Sequence, residues 1–170
     1  MNWSHLVALS VAVSLGCFGI AFGIDLVDPS KAPSSYVKMV KQGDKSVPVF
    51  DSTSHSFSAK QFDKLMGLYG CTLQDRSKLP AGYAKVTKKD GQETIAFDDT
   101  AVMYSPSSLN RIMSAYGLTL TDPKKLPAGF AKVAKKDGKE EIIFDDTSRS
   151  YSAKYMNQVL SAYSHADAAK

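Results

Sequence analysis

The stretch "KLPAGYAKVTKKDGQETIAFDDT" at residues 78–100 occurs again, little changed, as "KLPAGFAKVAKKDGKEEIIFDDT" at residues 125–147. Eighteen of the 23 positions are identical, and the two copies start 47 residues apart. A third, more diverged copy, "SYVKMVKQGDKSVPVF" at residues 35–50, aligns at the same offset without a gap. A fixed period of this length is typical of one supersecondary unit copied in tandem, whose copies bury their apolar faces against one another.

The 47-residue period divides the chain into three predicted units and two ends. The units occupy residues 24–70, 71–117 and 118–164, and a C-terminal tail covers residues 165–170. Removal of the first 23 of the 170 residues leaves 147, which is enough for one compact domain with its own core.

Each unit contains a predicted β-hairpin. Asp90-Gly91 and Asp137-Gly138 separate runs of alternating apolar residues, and glycine accepts the positive φ that a two-residue turn requires. The first unit has Gly43-Asp44 at this place. Because strand side chains alternate between faces, one face of each hairpin is predicted to pack on the core. The residues on this predicted core face are Val37 and Met39, Ala84 and Val86, and Ala131 and Val133.

A helix is predicted after each hairpin. Ser58, Ser105 and Ser152 are candidate N-caps, and each precedes an apolar stripe at helical spacing. The stripes are Phe62, Leu65, Met66 and Tyr69; Leu109, Ile112, Met113 and Tyr116; and Met156, Val159, Leu160 and Tyr163. The sequence therefore predicts an α+β fold of three tandem 47-residue strand–strand–helix (ββα) repeats that share one core, in an open stack or a pseudo-threefold arrangement.

The N-terminal segment has the character of an export signal. Residues 1–23 contain no charged side chain, and residues 6–24 are apolar except for serine and glycine. Residues 21–23 form a small-x-small cleavage pattern that ends at a unit boundary. We therefore expect a cleaved signal peptide at residues 1–23, a secreted or periplasmic protein, and no transmembrane span after cleavage. An uncleaved N-terminal anchor and a lipid-modified Cys17 are the alternatives.

Cysteine content and charge narrow the classes of partner. Cys71 is the only cysteine after residue 23, so it cannot form an intrachain disulfide there. It aligns with Leu118 and is expected to be a small buried apolar residue, with an intermolecular disulfide as the alternative.

The net charge is +4, and glutamates near the hairpin tips offset the lysines. This pattern disfavours a nucleic-acid partner.

Three aromatic–x–Lys pairs form the candidate binding site: Tyr36 with Lys38, Tyr83 with Lys85, and Phe130 with Lys132. Period-two alternation places each pair on the strand face opposite the predicted core face. Aromatic rings and lysines on an open sheet face suit a polysaccharide, an anionic polymer or a partner protein. In the alternative interpretation the rings pack between units and only the lysines reach solvent.

No catalytic or cofactor motif is found in the sequence, which has no GxGxxG, P-loop, HExxH, CxxC or GxSxG pattern. "FDDT" at residues 97–100 and 144–147 could offer oxygen ligands to a hard cation, but it lacks the alternating acids of a calcium loop. Local hydrogen bonding at the strand end is the favoured interpretation. We therefore predict no enzyme activity, no cofactor and no metal.

The combined pattern predicts an exported, non-catalytic repeat protein. It would act as a binding or structural scaffold module of the cell envelope or extracellular space. Its partner would be a protein or polymeric envelope component, or further copies of itself in self-assembly. The alternative is a small periplasmic accessory subunit or inhibitor of an enzyme.

Export can be tested by mass spectrometry of secreted material. Cleavage after Gly23 should give a first residue of Ile24 and remove Trp3, the only tryptophan of the chain. A membrane-bound protein that retains Met1 or Asn2 would show that the segment is an anchor instead.

Overall fold

The computed structural model describes residues 23–166, in which each of three α-helices follows a pair of β-strands. The elements are β1 (Val37–Gln42), β2 (Lys45–Phe50), α1 (Ala59–Leu68), β3 (Ala84–Lys89), β4 (Gln92–Phe97), α2 (Pro106–Ala115), β5 (Leu118–Leu120), β6 (Ala131–Lys136), β7 (Lys139–Phe144), α3 (Ala153–Leu160) and β8 (Tyr163–His165). The predicted signal peptide lies outside the described residues, except for Gly23.

The strands form four antiparallel sheets of two strands each. β1–β2, β3–β4 and β6–β7 are hairpins, named here hairpins 1, 2 and 3. The fourth sheet joins β5 to β8, which the sequence did not predict. Between residues 23 and 166 the fold is a mixed α+β one without a closed barrel, so the predicted class is confirmed. In the same range, no helix has the length and apolar character needed to cross a bilayer.

The hairpin turns follow the sequence signal. Asp90 and Asp137 both have φ of 51°, and the following glycines have φ of 78° and 77°. Two successive positive φ values define the type I′ turn, whose twist matches that of the strands it joins. The predicted turns of the second and third hairpins are therefore confirmed, and in the first hairpin Gly43 has a φ of 62°.

Serine residues cap all three helices, as predicted. The hydroxyl oxygens of Ser58, Ser105 and Ser152 each accept a hydrogen bond of 3.1 Å from the backbone N–H three residues later. In α1, Gln61 Oε1 also accepts from the Ser58 backbone N–H at 2.9 Å, which completes a capping box. Every residue of the predicted apolar stripes is buried, but the third stripe is helical only as far as Leu160, because Tyr163 lies in β8.

Short β-bridges connect the loops that lie between each hairpin and its helix. We call each hairpin, with the turn before it, the loop after it and the helix that follows, a segment. The loop of the first segment bridges to that of the third, the loop of the second to that of the first, and the loop of the third to that of the second. The bridged pairs are His55 with Tyr151, Val102 with Phe57, and Arg149 with Tyr104. Their backbone hydrogen bonds measure 2.9 to 3.1 Å.

The first turn of each helix is bound to the end of a hairpin of another segment. The Lys60 N–H at the start of α1 donates to the Asp98 carbonyl after hairpin 2, at 3.0 Å. The equivalent bonds run from Ser107 N–H to the Asp145 carbonyl at 3.1 Å and from Lys154 N–H to the Asp51 carbonyl at 2.9 Å. Contacts thus run from the first segment to the second, from the second to the third and from the third back to the first.

Tyrosine hydroxyls join the helices inside the core. The tyrosine at the end of each stripe donates to a polar side chain on another helix. The donor–acceptor pairs are Tyr69 with Asn157 at 3.0 Å, Tyr116 with Asp63 at 2.6 Å, and Tyr163 with Asn110 at 2.9 Å. These bonds satisfy hydroxyl groups that burial removes from water.

The buried helix stripe can be tested by truncation. Ile112 is fully buried in α2, so Ile112→Ala should lower the free energy of unfolding by about 2–5 kcal/mol in urea denaturation. Lys154→Ala on α3 is the control, because an exposed helix residue should change that energy by at most about 0.5 kcal/mol. Equal effects of the two variants would show that the helix register is wrong.

The buried tyrosines predict unfolding at alkaline pH. Burial raises the pKa of all eight tyrosines, that of Tyr104 to about 12. Unfolded tyrosine loses its proton near pH ~10. Above that pH the unfolded chain binds fewer protons than the folded one, so stability falls as pH rises.

We therefore expect tyrosinate absorbance and circular dichroism to change together in one steep transition above the ordinary tyrosine pKa. The chain in urea should titrate gradually near pH ~10 and serves as the control. Gradual titration of the native protein near that pH, with its circular dichroism unchanged, would contradict the burial of these side chains.

Candidate functional site: the three hairpins

The aromatic residues of the predicted binding pairs lie in the core. Tyr36, Tyr83 and Phe130 are 5%, 3% and 0% exposed, so the prediction that their rings form an accessible surface is wrong. Each ring precedes its strand and lies in a turn; the Tyr36 N–H donates to the Pro33 carbonyl at 2.8 Å, for example. Strand alternation does not extend into this turn, which directs the ring inward.

Each buried ring packs against the phenylalanine that ends its hairpin. The centroids of Tyr36 and Phe50 are 6.0 Å apart, and the planes meet at 85°. Tyr83 with Phe97 and Phe130 with Phe144 repeat this edge-to-face geometry at 6.1 Å and 6.0 Å. These contacts hold the base of each hairpin on the core, and such aromatic pairs contribute about 0.5–1.5 kcal/mol beyond their burial.

The outer half of each hairpin extends beyond the core. Val37, Ala84 and Ala131 at the strand starts are buried or half-buried, as predicted. Their partners on the predicted core face are not: Met39, Val86 and Val133 are 42%, 45% and 57% exposed, so the prediction is wrong for them. The face was identified correctly, but among residues 23–166 no other element covers its outer part.

The lysines of the predicted pairs lie on the exposed surface of the hairpins. Lys38, Lys85 and Lys132 are on the opposite face from Met39, Val86 and Val133. Each faces a small or apolar residue of the adjacent strand that is itself exposed: Val49, Ala96 and Ile143, respectively. The structure thus separates the lysines from the aromatic rings but gives them apolar neighbours that the sequence analysis did not identify.

The hairpins carry the positive charge of the chain. Residues 37–50, 84–97 and 131–144 contain ten lysines and six acidic residues, a net charge of +4 that equals that of the whole sequence. The remaining charges balance, and several form surface ion pairs such as Lys31 with Asp28 at 3.3 Å. The net positive charge of the sequence therefore lies on the hairpins, and the rest of the chain is neutral overall.

Hairpin 2 is bound to the loop before it by an ion pair. Arg76 Nη1 lies 2.8 Å from Glu93 Oε2, and Lys88 Nζ lies 3.7 Å from Glu93 Oε1. The Arg76 hydrogen bond lowers the pKa of the Glu93 carboxyl. Glu93 is thus paired with both Arg76 and Lys88. Lys85 lies on the other face of hairpin 2, where the residue directly opposite it is Ala96.

Both strands of each hairpin are edge strands among the described residues, because each sheet has two strands. An edge strand presents backbone N–H and carbonyl groups to which an additional strand can bind. Pro48 removes one such donor from β2, opposite Met39. Hairpins 2 and 3 have no proline in their strands.

The two "FDDT" segments and the corresponding "FDST" at residues 50–53 form local turns. The first aspartate after each hairpin accepts a hydrogen bond from the backbone N–H of the threonine two residues later. The pairs are Asp51 with Thr53 at 2.5 Å, Asp98 with Thr100 at 2.8 Å, and Asp145 with Thr147 at 2.6 Å. The bonds lower the pKa of Asp51 and Asp145.

Across residues 23–166, His, Cys, Asp and Glu form no group of three that could hold a metal ion.

Cys71 is buried against the end of α1, as the sequence predicted, and its thiol contacts the Tyr69 carbonyl at 3.5 Å. Burial raises the pKa of the thiol to about 11, so little thiolate is present at neutral pH.

No protein-family model, no curated protein and no solved structure significantly matches this chain.

Proposed function

We propose that the chain is an exported, non-catalytic binding module of the cell envelope or extracellular space, whose three lysine-bearing hairpins attach to a repetitive anionic polymer. The observation that carries this proposal is that the hairpins extend beyond the core and hold all of the net positive charge. The exposed apolar residues beside the lysines supply additional contact area for the partner.

We further propose that the hairpins are equivalent parts of three tandem ββα units, closed around a pseudo-threefold axis. Three independent sets of contacts support this arrangement: the loop bridges, the bonds from helix starts to hairpin ends, and the tyrosine bonds between helices. In each set, the equivalent positions are 47 residues apart, and the third unit contacts the first. An open stack would leave the first and third units without contact.

Three equivalent sites on one rigid body favour a repetitive partner. Once one hairpin is bound, the others remain close to the polymer, and this raises their effective concentration. Each hairpin can then bind weakly while the whole molecule binds firmly. Lys38, Lys85 and Lys132 occupy the same register position in the three hairpins and are the residues most directly involved.

Binding can be measured with the full chain on immobilised alginate, a polyuronate, and on neutral dextran. We expect binding to alginate only, with weaker binding as salt is added, because salt screens the lysine charges. Lys85→Gln should reduce affinity about twofold to threefold, and the combined Lys38→Gln, Lys85→Gln and Lys132→Gln variant more than about tenfold.

The matched control is the triple variant of Lys31→Gln, Lys78→Gln and Lys125→Gln. It makes the same change in net charge at three equivalent positions outside the hairpins. Equal loss of alginate binding in the two triple variants would mean that only net charge matters and that the hairpins are not the site. Absence of alginate binding, together with a molecular mass in light scattering that rises with concentration, would favour self-assembly instead.

A further inference from the structure

A cleft of about 400 Å³ lies beside α1, and its lining residues lie outside the hairpin strands. This volume is within the range of about 300–1,000 Å³ that is usual for small-molecule sites. Aromatic and aliphatic side chains and several polar groups line it, among them Tyr36, Phe57, Leu65, His55, Gln61 and Lys64. No acidic side chain is found among the described residues that line the cleft.

The third segment shows what fits into this space. Gln61 in α1 corresponds to Tyr155 in α3, since the two positions are two 47-residue periods apart. The Tyr155 ring lies 6.4 Å from Phe130 and 5.3 Å from Tyr151, measured between ring centroids. Phe130 and Tyr151 correspond to the cleft residues Tyr36 and Phe57. A phenol ring therefore occupies the third segment where the first segment has an open cleft.

The charges around the cleft favour an anion. Lys64 lines it, and the nearby carboxylate of Asp99 is in ion-pair contact with Lys60, whose Nζ lies 2.8 Å from Asp99 Oδ2. His55, which has its backbone fixed by the bridge to Tyr151, places an imidazole at the same cleft. The Asp51 carboxylate already faces the His55 imidazole, so Lys64 is the cation of the cleft, and an ammonium group beside an aromatic wall matches a ring that bears a carboxylate.

We propose that the α1 cleft binds an aromatic carboxylate, with its ring between Tyr36 and Phe57 and its carboxylate at Lys64. The ligand is either a free aromatic acid or the C-terminal aromatic residue of a peptide. None of the described residues that line the cleft belongs to a hairpin strand, and Tyr36 joins the cleft to the base of hairpin 1 through its contact with Phe50.

The test is calorimetry on the full chain with 3-phenylpropionate, its neutral amide 3-phenylpropanamide, and the tripeptide Gly-Gly-Phe. We expect the acid to bind about tenfold more tightly than the amide, because only the acid pairs with Lys64. Lys64→Gln should abolish this preference, whereas Lys132→Gln, with the same charge change on hairpin 3, should leave it intact. Tighter binding of the tripeptide than of 3-phenylpropionate identifies a peptide terminus as the ligand, and the reverse identifies a free acid.

Filling the cleft is the second arm of the test. Gln61→Tyr supplies the ring that Tyr155 supplies in α3 but removes the capping-box acceptor of the Ser58 N–H, so it should abolish saturable binding while the chain stays folded by circular dichroism. The combined Tyr155→Gln and Gln158→Lys variant should open an equivalent cleft and change the stoichiometry from one ligand to two. Unchanged affinity in a folded Gln61→Tyr protein, equal affinity for acid and amide, or no saturable binding of any of the three probes would overturn the proposal.

Discussion

Three hydrogen bonds donated by the tyrosines that follow the helices connect the helices to one another, because burial removes these hydroxyls from water. Each of the three partners lies on a different helix from its tyrosine: Asn157 for Tyr69, Asp63 for Tyr116, and Asn110 for Tyr163. A buried hydroxyl left unpaired costs about 1–3 kcal/mol. Each helix supplies one acceptor, so rotation of any helix by a single residue would break at least one of these bonds, and this fixes the register of each helix.

The elements that the sequence predicted well depend on short-range chemistry. The Asp90-Gly91 turn, the Ser105 cap and the Ile112 stripe are each decided by residues within one or two turns of the chain. Turns and helix starts can be predicted from local sequence because a turn needs positive φ and a helix start needs a side-chain acceptor, whatever the tertiary surroundings. The exposed lysines of the candidate site belong to the same class, since ammonium groups stay in water wherever the strand lies.

The predictions of side-chain burial were wrong where burial depends on how far a residue lies from the core. Alternation correctly placed Met39 on the same face as Val37, but it contains no information on where the packed layer ends. Tyr36 was placed on the outer face because the strand was extended one residue too far, into the turn that directs its ring inward. The bridge between His55 and Tyr151 joins polar loops without hydrophobic periodicity, so no sequence pattern indicates it.

The three copies differ in ways that separate packing from function. Phe130 replaces Tyr36 and Tyr83 without a change in ring geometry, so this position requires an aromatic ring and tolerates loss of the hydroxyl. Gln61 in place of Tyr155 has a different consequence, because removal of a ring from a packed site leaves space that the surrounding structure fills only in part. The first copy gives up that packing energy and gains an accessible cleft with a lysine at its rim. The hairpins keep a lysine at one register position, whereas the helix position of Gln61 is Ser108 in the second copy and Tyr155 in the third. This is the pattern expected if the hairpins share a single task and the first copy has acquired a second one.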